Sequence, residues 1–336
     1  ISSAPSNGTA TISGNRVTYT PDTNYVGSDA FSWTASDGSL TSSAGTVTIT
    51  VTNVNDLPTT SAVSASTNED TAKAITLTGA DVDSGDSLTY SIVSTNNGSV
   101  SVSGSTATYT PDTNYNGSDT FTYKVNDGTG DSNTSTVTVT VAAVNDLPTT
   151  ADAASSTNED TAKAITLSAT DVEGSSLTYS IVSDVSNGST SLSGSTVTYT
   201  PTANYNGTDT FTYKANDGTG DSNTSTITIT VAAVNDLPTT VSINTTIDEN
   251  RYASRMAGIT LQGSDIDGDS LTYSVVSNAS NGSTSISGAT LTYTATQDWN
   301  GTETITYKAN DGTGDSNTST ITITVTAVND VPVVVT

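Results

Sequence analysis

Short stretches in which every second residue is Val or Ile recur along the chain. One of them, from Thr136 to Val141, reads "TVTVTV". Similar stretches occupy residues 46–51, 226–231 and 320–325. Successive side chains of a strand point to opposite faces, so this alternation predicts half-buried strands with Val and Ile inward and Thr toward water. Almost no stretch has the period of a helix, and the sequence therefore predicts an all-β chain.

Asn-Gly pairs stand between many of these stretches and predict tight hairpin turns. Both residues accept the positive φ angles that two-residue turns require. The pairs are at residues 97–98, 116–117, 187–188, 206–207, 281–282 and 300–301. With about seven short strands between such turns in each full repeat, the pattern is typical of a Greek-key β-sandwich. We expect its core to be built from Val, Ile and Leu, with Phe121 and Tyr123 and their copies Phe211 and Tyr213.

A repeated sequence ends each block of strands and sets the period. "VAAVNDLPTT" stands at 141–150 and again at 231–240, and looser copies stand at 51–60 and 325–334. The spacing between successive copies is 90, 90 and 94 residues, which is the size of a whole domain. The predicted repeats are residues 1–55, 56–145, 146–235 and 236–330, the last with four extra residues in "NRYASRMAGIT", and residues 331–336 begin the next linker.

The first repeat contains only the later part of the pattern. Residues 1–55 begin near "SNGTATISGNRVTYTP", which corresponds to the middle of the other repeats. We expect its leading strands to lie upstream or to be supplied by another chain. The fold class predicted for the whole is a set of tandem Greek-key β-sandwich domains arranged end to end.

Composition narrows the chemistry to carboxylates. The 336 residues include no Cys and no His, which excludes disulfides, thiolate chemistry, zinc sites of the usual kinds and imidazole bases. Asp and Glu number 34 against 8 Lys and Arg, giving a formal charge of -26. Nucleic acid and anionic membranes would be repelled, whereas cations would be attracted. No apolar run approaches the ~20 residues of a membrane span, so direct membrane insertion is not expected.

Longer words of the repeat resemble a known family. "ADVDSGDSLTYSI" and "YKVNDGTGDSNTSTVTVTVAAVNDLP" resemble the cadherin repeat, and "TYTPDTNYNGSDTFTY" is similar to the cadherin-like and immunoglobulin-like repeats of large bacterial surface adhesins. The resemblance covers essentially the whole chain. It implies that Ca²⁺ binds at the junctions between successive repeats, held by an early Glu, an Asp-x-Asp pair, a later Asp in a Gly-containing loop, and the Asn-Asp of the linker.

The implied ligands can be placed at three junctions of this sequence. They are Asn55, Asp56, Asp81, Asp83 and Asp127 at the first linker, Glu69, Asn145, Asp146, Asp171, Glu173 and Asp217 at the second, and Glu159, Asn235, Asp236, Asp265, Asp267 and Asp311 at the third. Ligands of this kind suit Ca²⁺, which takes six to eight oxygens, better than Mg²⁺ with its tight octahedron.

Departures from the cadherin pattern lower the expected number of ions. Cadherins have an acidic residue two positions before the linker Asn, where this chain has Ala143 and Ala233, and they have an Asp-Arg-Glu triplet that is absent here. We therefore expect one or two ions at each junction instead of three. The third repeat has "DVEGSSLTY" where its neighbours have a further Asp, so its site should have the lowest affinity.

The resemblance implies an extracellular structural protein of the cell surface. We expect a spacer or filament segment of a bacterial adhesin, a rod whose junctions are stiffened by Ca²⁺. Its partners would be the neighbouring repeats, other copies of the protein in a filament, or a carbohydrate or surface receptor. Two alternatives stay open, namely a carbohydrate- or self-binding module and a filament subunit completed by strand donation. An enzyme is not expected, because a catalytic carboxylate pair should occur once in a cleft and not in every repeat.

Overall fold

The computed structural model describes residues 1–249 and 257–329, and all of their regular structure is β-strand. The chain divides into two compact units, Ile1–Asp146 and Leu147–Thr336. Most of the predicted four-residue insertion and the predicted start of the next linker lie outside the described residues. No helix in the described part of the chain is long and apolar enough to cross a membrane.

The first repeat consists of two antiparallel strand pairs. Its strands are β1 (Gly8–Ser13), β2 (Arg16–Pro21), β3 (Gly27–Trp33) and β4 (Gly45–Val51). β1 pairs with β2 and β3 pairs with β4. Apolar side chains on these strands are open to solvent, since Ile12 is 51% exposed, Val17 36% and Trp33 43%.

The second repeat is a complete sandwich of two sheets. Its strands are β5 (Thr59–Thr60), β6 (Val63–Asn68), β7 (Lys73–Thr76), β8 (Gly79–Ala80), β9 (Thr89–Ser94), β10 (Gly98–Ser103), β11 (Thr106–Pro111), β12 (Gly117–Asn126) and β13 (Ser135–Ala142). One sheet has the order β6-β13-β12-β9 and the other has the order β10-β11-β7. β5 and β8 form a small extra pair. The strand pairs are antiparallel except β6 with β13, which is parallel.

The third and fourth repeats have the same topology. The strands of the third are β14 (Thr149–Thr150), β15 (Ala153–Asn158), β16 (Lys163–Thr166), β17 (Ala169–Thr170), β18 (Thr178–Ser183), β19 (Gly188–Ser193), β20 (Thr196–Pro201), β21 (Gly207–Asn216) and β22 (Ser225–Ala232). Those of the fourth are β23 (Thr239–Thr240), β24 (Ile243–Asp248), β25 (Ala257–Thr260), β26 (Gly263–Ser264), β27 (Thr272–Ser277), β28 (Gly282–Ser287), β29 (Thr290–Ala295), β30 (Gly301–Asn310) and β31 (Ser319–Thr326). The all-β, tandem-sandwich fold class predicted from the sequence is thereby confirmed.

Each complete repeat has its own apolar core between its two sheets. In the second repeat Phe121 and Tyr123 on β12 pack with Val137 and Val139 on β13, and all four side chains are at most 1% exposed. The copies in the other two repeats are equally buried. The Tyr123 hydroxyl donates to the backbone carbonyls of Ser61, at 2.7 Å, and Thr78, at 2.9 Å. The core tyrosine therefore also fixes the chain that follows the linker.

The Asn-Gly pairs do not form the hairpin turns that the sequence suggested. The turn between β10 and β11 contains Gly104, whose φ is 58°, whereas Asn97 immediately precedes β10 and Gly98 is its first residue. Gly98 is needed for a different reason. A Cβ added there would lie 2.5 Å from the carbonyl oxygen of Thr110 and 3.0 Å from the ring of Tyr109. The pair therefore allows close packing between strands.

In the third repeat a buried carboxylate stabilises the loop that contains the corresponding pair, Asn187-Gly188. This carboxylate belongs to Asp209, which is 4% exposed. Its Oδ1 accepts hydrogen bonds from the backbone N–H groups of Ser186 and Thr210, both at 3.0 Å, and its Oδ2 accepts one from that of Asn187 at 2.9 Å. The hydroxyl of the fully buried Tyr199 also donates to Oδ2, at 3.2 Å. Burial and the neighbouring Asp209 carboxylate raise the pKa of Tyr199 to about 12.

Candidate metal centre

The loop between the two longest strands of each full repeat directs one Asp toward the linker. In the second repeat this loop joins β12 to β13 and contains Asp127. Oδ1 of Asp127 accepts hydrogen bonds from the backbone N–H groups of Thr129, at 2.6 Å, and Gly130, at 2.7 Å. Oδ2 accepts one from Nδ2 of the linker residue Asn55, at 2.9 Å. The hydrogen bond from Asn55 contributes most to lowering the pKa of Asp127, and the backbone hydrogen bonds lower it further. The group is therefore held as a carboxylate.

The linker Asp contacts the Asp-x-Asp turn of the same repeat. The backbone N–H of Asp56 donates to Oδ2 of Asp83 at 2.7 Å, and that of Asp83 donates to Oδ1 of Asp81 at 2.8 Å. Carboxylate oxygens of Asp81, Asp83 and Asp86 lie within 4.8 Å of one another. Oδ2 of Asp81 is buried and has no hydrogen-bond partner within the described residues. The structure thus brings the residues predicted for the first junction together and leaves one buried oxygen available.

The third junction repeats this arrangement. Nδ2 of Asn235 donates to Oδ2 of Asp311 at 3.0 Å, and the backbone N–H of Asp236 donates to Oδ2 of Asp267 at 2.8 Å. The backbone N–H of Asp267 donates to Oδ1 of Asp265 at 3.0 Å. Oδ2 of Asp265 is also buried with no hydrogen-bond partner among the described residues. The predicted linker, turn and loop residues therefore converge here as well.

The preceding repeat adds a buried glutamate to the third junction. Glu159 is only 3% exposed. Its Oε1 accepts a hydrogen bond from the backbone N–H of Val234 at 2.5 Å. Its Oε2 is buried and has no hydrogen-bond partner within the part of the chain that the structure describes. A buried carboxylate oxygen without a donor is costly, and a bound cation would remove that cost.

The pKa of the linker residue Asp236 also shows that acidic side chains of two repeats lie close together at the third junction. Burial raises the pKa of Asp236, and the negative charges of Asp267, Asp160, Glu159 and Asp265 raise it further, in that order. Two of these charges come from the third repeat and two from the fourth. The carboxylates of consecutive repeats therefore repel one another across this junction, and a cation would offset the repulsion.

Residues predicted for the second junction belong partly to each unit. Glu69, Asn145 and Asp146 lie in the first unit. Glu69 is 4% exposed, and its Oε1 accepts a hydrogen bond from the backbone N–H of Val144 at 2.5 Å, while its Oε2 accepts one from Nδ2 of Asn116 at 3.5 Å. Glu69 is therefore buried against the start of the linker that follows its repeat, as Glu159 is in the third repeat.

Three further residues predicted for the second junction lie in the second unit. Oδ1 of Asp171 accepts a hydrogen bond from the backbone N–H of Ser175 at 2.7 Å, and its Oδ2 is buried without a hydrogen-bond partner among the described residues. Asp217 accepts backbone hydrogen bonds from its own loop, at 2.6 and 2.7 Å, as Asp127 does. Glu173 is exposed in the same turn as Asp171. Asp171 and Asp217 thus accept local backbone hydrogen bonds as their counterparts in the other repeats do.

The donor set at these junctions consists of oxygen atoms. Carboxylates and carboxamides of Asp, Glu and Asn are hard ligands, and the sequence contains neither Cys nor His. Ca²⁺ accepts six to eight oxygens in irregular geometry, whereas Mg²⁺ demands a tight octahedron. The orphaned buried oxygens of Asp81, Glu159 and Asp265 fit a hard cation of the Ca²⁺ kind.

Comparison with protein families identifies the repeats. Four segments of the chain, residues 1–50, 55–140, 145–230 and 235–324, each match the family model described as "Bacterial Ig domain". The chain belongs to the bacterial Ig domain family. A search of curated proteins found no match to these bacterial Ig domains.

Solved structures similar to these bacterial Ig domains include cadherin ectodomains. Mouse Cadherin-23 EC22-24 is 19% identical with a TM-score of 0.52, covering 82% of this chain and 100% of that one. Human CDH23 EC21-23 is 18% identical with a TM-score of 0.54, covering 80% and 100%. The Protocadherin GammaB4 extracellular domain is 15% identical with a TM-score of 0.56, covering 95% of this chain and 59% of that one. At these identities the likeness concerns the fold, and the resemblance predicted from the sequence is confirmed at that level.

Sequence reasoning missed several residues near the sites of these bacterial Ig domains. Asp86 and Asp269 join their Asp-x-Asp turns, and their signal was visible as a third Asp in each turn. Asp160 follows the predicted Glu159 in "TNED" and contributes its charge to Asp236. Asn204, in "NYNG", lies beside both Asp160 and Asp236. No signal in one sequence marked Asn204, because its neighbours are 44 and 32 residues away.

Proposed function

We propose that this chain is a structural spacer or filament segment of an extracellular bacterial adhesin, in which Ca²⁺ stiffens the junctions between repeats. Membership of the bacterial Ig domain family and the cadherin-like fold support a structural, extracellular role. On this proposal the repeats are arranged end to end as a rod. Catalysis has no part in it.

The third junction is the observation on which the calcium proposal depends most. Glu159 would contribute from one repeat, and Asp236, Asp265 and Asp267 from the next. Buried oxygens of Glu159 and Asp265 lack hydrogen-bond partners within the described residues. When bound, Ca²⁺ would supply charge neutralisation and ligand bonds to both repeats at once. Without it, the repulsion that raises the pKa of Asp236 would favour hinging.

Occupancy should differ between junctions. The turn of the third repeat has Ser175 at the position of Asp269 in the fourth, so its site has one carboxylate fewer. Affinity for Ca²⁺ follows the number of charged ligands. On the proposed function, the junction before the third repeat is the first to lose Ca²⁺ as the concentration falls.

The double substitution Asp265→Ala and Asp267→Ala tests the proposed function. It removes two ligands on the surface of a repeat whose core is separate, so the junction should loosen without unfolding the neighbouring sandwiches. Small-angle scattering in millimolar Ca²⁺ should show a shorter maximum dimension for the variant than for the wild type. The control is Asp184→Ala, which removes an exposed charge in the loop between β18 and β19 and should leave the dimension unchanged.

Calorimetry of the wild type gives an independent test of calcium. Binding to the folded state raises the melting temperature by mass action. Curves that superimpose in chelator and in millimolar Ca²⁺ would contradict the calcium part of the proposal while leaving the spacer role intact.

A further inference from the structure

The side chain of Asn204 lies between carboxylates of consecutive repeats. With its nitrogen facing them, its carboxamide donates to Oδ2 of Asp236 at 3.0 Å and to Oδ2 of Asp160 at 3.3 Å. Asp160 follows β15 in the third repeat, and Asp236 lies in the linker to the fourth. One neutral side chain therefore joins two negative groups that would otherwise repel each other.

The backbone holds Asn204 and Asp160 in position. The N–H of Asn204 donates to Oδ1 of Asp160 at 3.0 Å. Both residues have left-handed backbone conformations, with φ of 57° and 54°. Asn and Asp adopt this region more readily than other residues with a side chain. The second repeat contains the same pair, Asn114 and Asp70, with a bond of 3.1 Å.

The opposite orientation of the carboxamide has a different chemical meaning. It places Oδ1 at the same 3.0 and 3.3 Å from the two carboxylate oxygens, so that three oxygens converge. In this orientation the three oxygens would repel one another unless a cation lay between them. Two ligands each about 2.4 Å from a Ca²⁺ ion and roughly 80° apart at the ion are separated by about 3.1 Å. The spacing around Asn204 therefore suits a shared Ca²⁺ shell.

We propose that Asn204 is a two-state residue of the third junction. In the absence of a cation its amide nitrogen donates to Asp160 and Asp236 and tethers the repeats. When Ca²⁺ binds, the carboxamide turns about its Cβ–Cγ bond and Oδ1 becomes a ligand. The ligand half of this inference rests on the proposed function, whereas the tether half does not.

Two substitutions separate the roles of the nitrogen and the oxygen. Asn204→Asp retains oxygens but removes the donor, and Asn204→Gly removes both, and each tolerates a positive φ. In chelator both variants should have a looser third junction than the wild type, and Asn204→Asp should be the looser because it adds a negative charge. In Ca²⁺ the Asp variant should recover fully, whereas the Gly variant should need about tenfold more Ca²⁺ for half-saturation.

Pulsed electron paramagnetic resonance on the full chain measures this junction directly. Spin labels on Ser193→Cys and Ser285→Cys, both exposed, are specific because the chain has no Cys of its own. The width of the distance distribution is followed during a Ca²⁺ titration. The matched control is Asn114→Asp, the same left-handed position in the second repeat, which should leave the labelled distance unchanged.

The outcomes distinguish this inference from the function it builds on. Wild-type distributions that narrow with Ca²⁺, together with Asn204 variants identical to the wild type, would overturn the inference alone. A wild-type distance distribution that does not change with Ca²⁺ would contradict both the calcium proposal and the role of Asn204 as a ligand. Broadening of Asn204→Asp in chelator, reversed by Ca²⁺, supports both states of the residue.

Discussion

Replacing the buried Asp209 by Ala should destabilise the third repeat strongly. The carboxylate accepts four hydrogen bonds, three from backbone N–H groups and one from the hydroxyl of Tyr199, which is fully buried. The substitution leaves the three backbone N–H groups without their acceptor and leaves the Tyr199 hydroxyl with only the backbone carbonyl of Asn187, at 3.4 Å. The loop between β18 and β19 and the start of β21 should then separate.

The expected cost follows from the kind of bonds lost. A hydrogen bond to a charged group contributes about 1.5 to 3 kcal/mol, and unpaired buried donors carry a desolvation penalty. The four bonds share one acceptor and are not additive, because water can enter at the exposed side of the loop. We therefore expect a loss of about 3 to 5 kcal/mol in the free energy of unfolding of this repeat. At ~1.4 kcal/mol per factor of ten, 3 kcal/mol is roughly a 150-fold larger opening constant.

Hydrogen exchange read by mass spectrometry resolves the repeats from one another. Peptides covering β19 to β21 should exchange at least ~100-fold faster in Asp209→Ala than in the wild type, given the opening constant above. Peptides covering β10 to β12 belong to another sandwich and should not change. The control is Asp184→Asn, at an exposed Asp of the same loop, because Asn keeps an oxygen that can accept the hydrogen bonds from the Val185 N–H and the Thr190 hydroxyl; it should change the free energy of opening by less than ~0.5 kcal/mol. A change below about fivefold in Asp209→Ala would refute the reasoning.

Two further predictions concern the fourth repeat. The hydrogen bond from Lys308 holds the pKa of Asp315 below its ordinary value, so the ion pair stabilises the repeat at neutral pH. This stabilisation is lost as the pH falls through the lowered pKa. In calorimetry from pH 7 to pH 3, the melting temperature should therefore fall less for Asp315→Asn than for the wild type. Gly314→Ala would put a Cβ 2.3 Å from Cδ2 of the linker residue Leu237, so Leu237 should be displaced and the distance distribution across the third junction should broaden. An unchanged distribution would mean that Leu237 does not position the linker.

Alternation of apolar and polar residues was sufficient to predict the strands and the core. The Val residues of Thr136 to Val141 are 0 to 3% exposed, because a period of two puts every second side chain on one face. Local turn chemistry was less informative. Asn97-Gly98 has the composition of a hairpin turn, but Gly98 is required by a close contact with Tyr109, and the hairpin turn lies at Gly104. That contact depends on strand pairing, which local composition does not encode.

Among the candidate site residues, too, those placed by local sequence were predictable and those placed by tertiary structure were not. Asp81 and Asp83 were predictable because a short Asp-x-Asp turn brings its carboxylates together whatever the rest of the chain does. Asn204 was not, since its position depends on β15, the strand pairing of β21 and the course of the linker at once. The predicted repeat boundaries and the assignment of Ca²⁺ ligands at all three junctions stay predictions.

The parallel pairing of the first long strand with the last strand determines how each full repeat responds to a pulling force. β6 lies beside β13, β15 beside β22 and β24 beside β31, each over six residue pairs. Tension applied through the chain ends draws these neighbours past each other lengthwise. The hydrogen bonds between them are then loaded in shear and must break together, not one at a time as in a hairpin opened from its end. A stretched chain of such repeats would therefore resist extension until a whole ladder gives way.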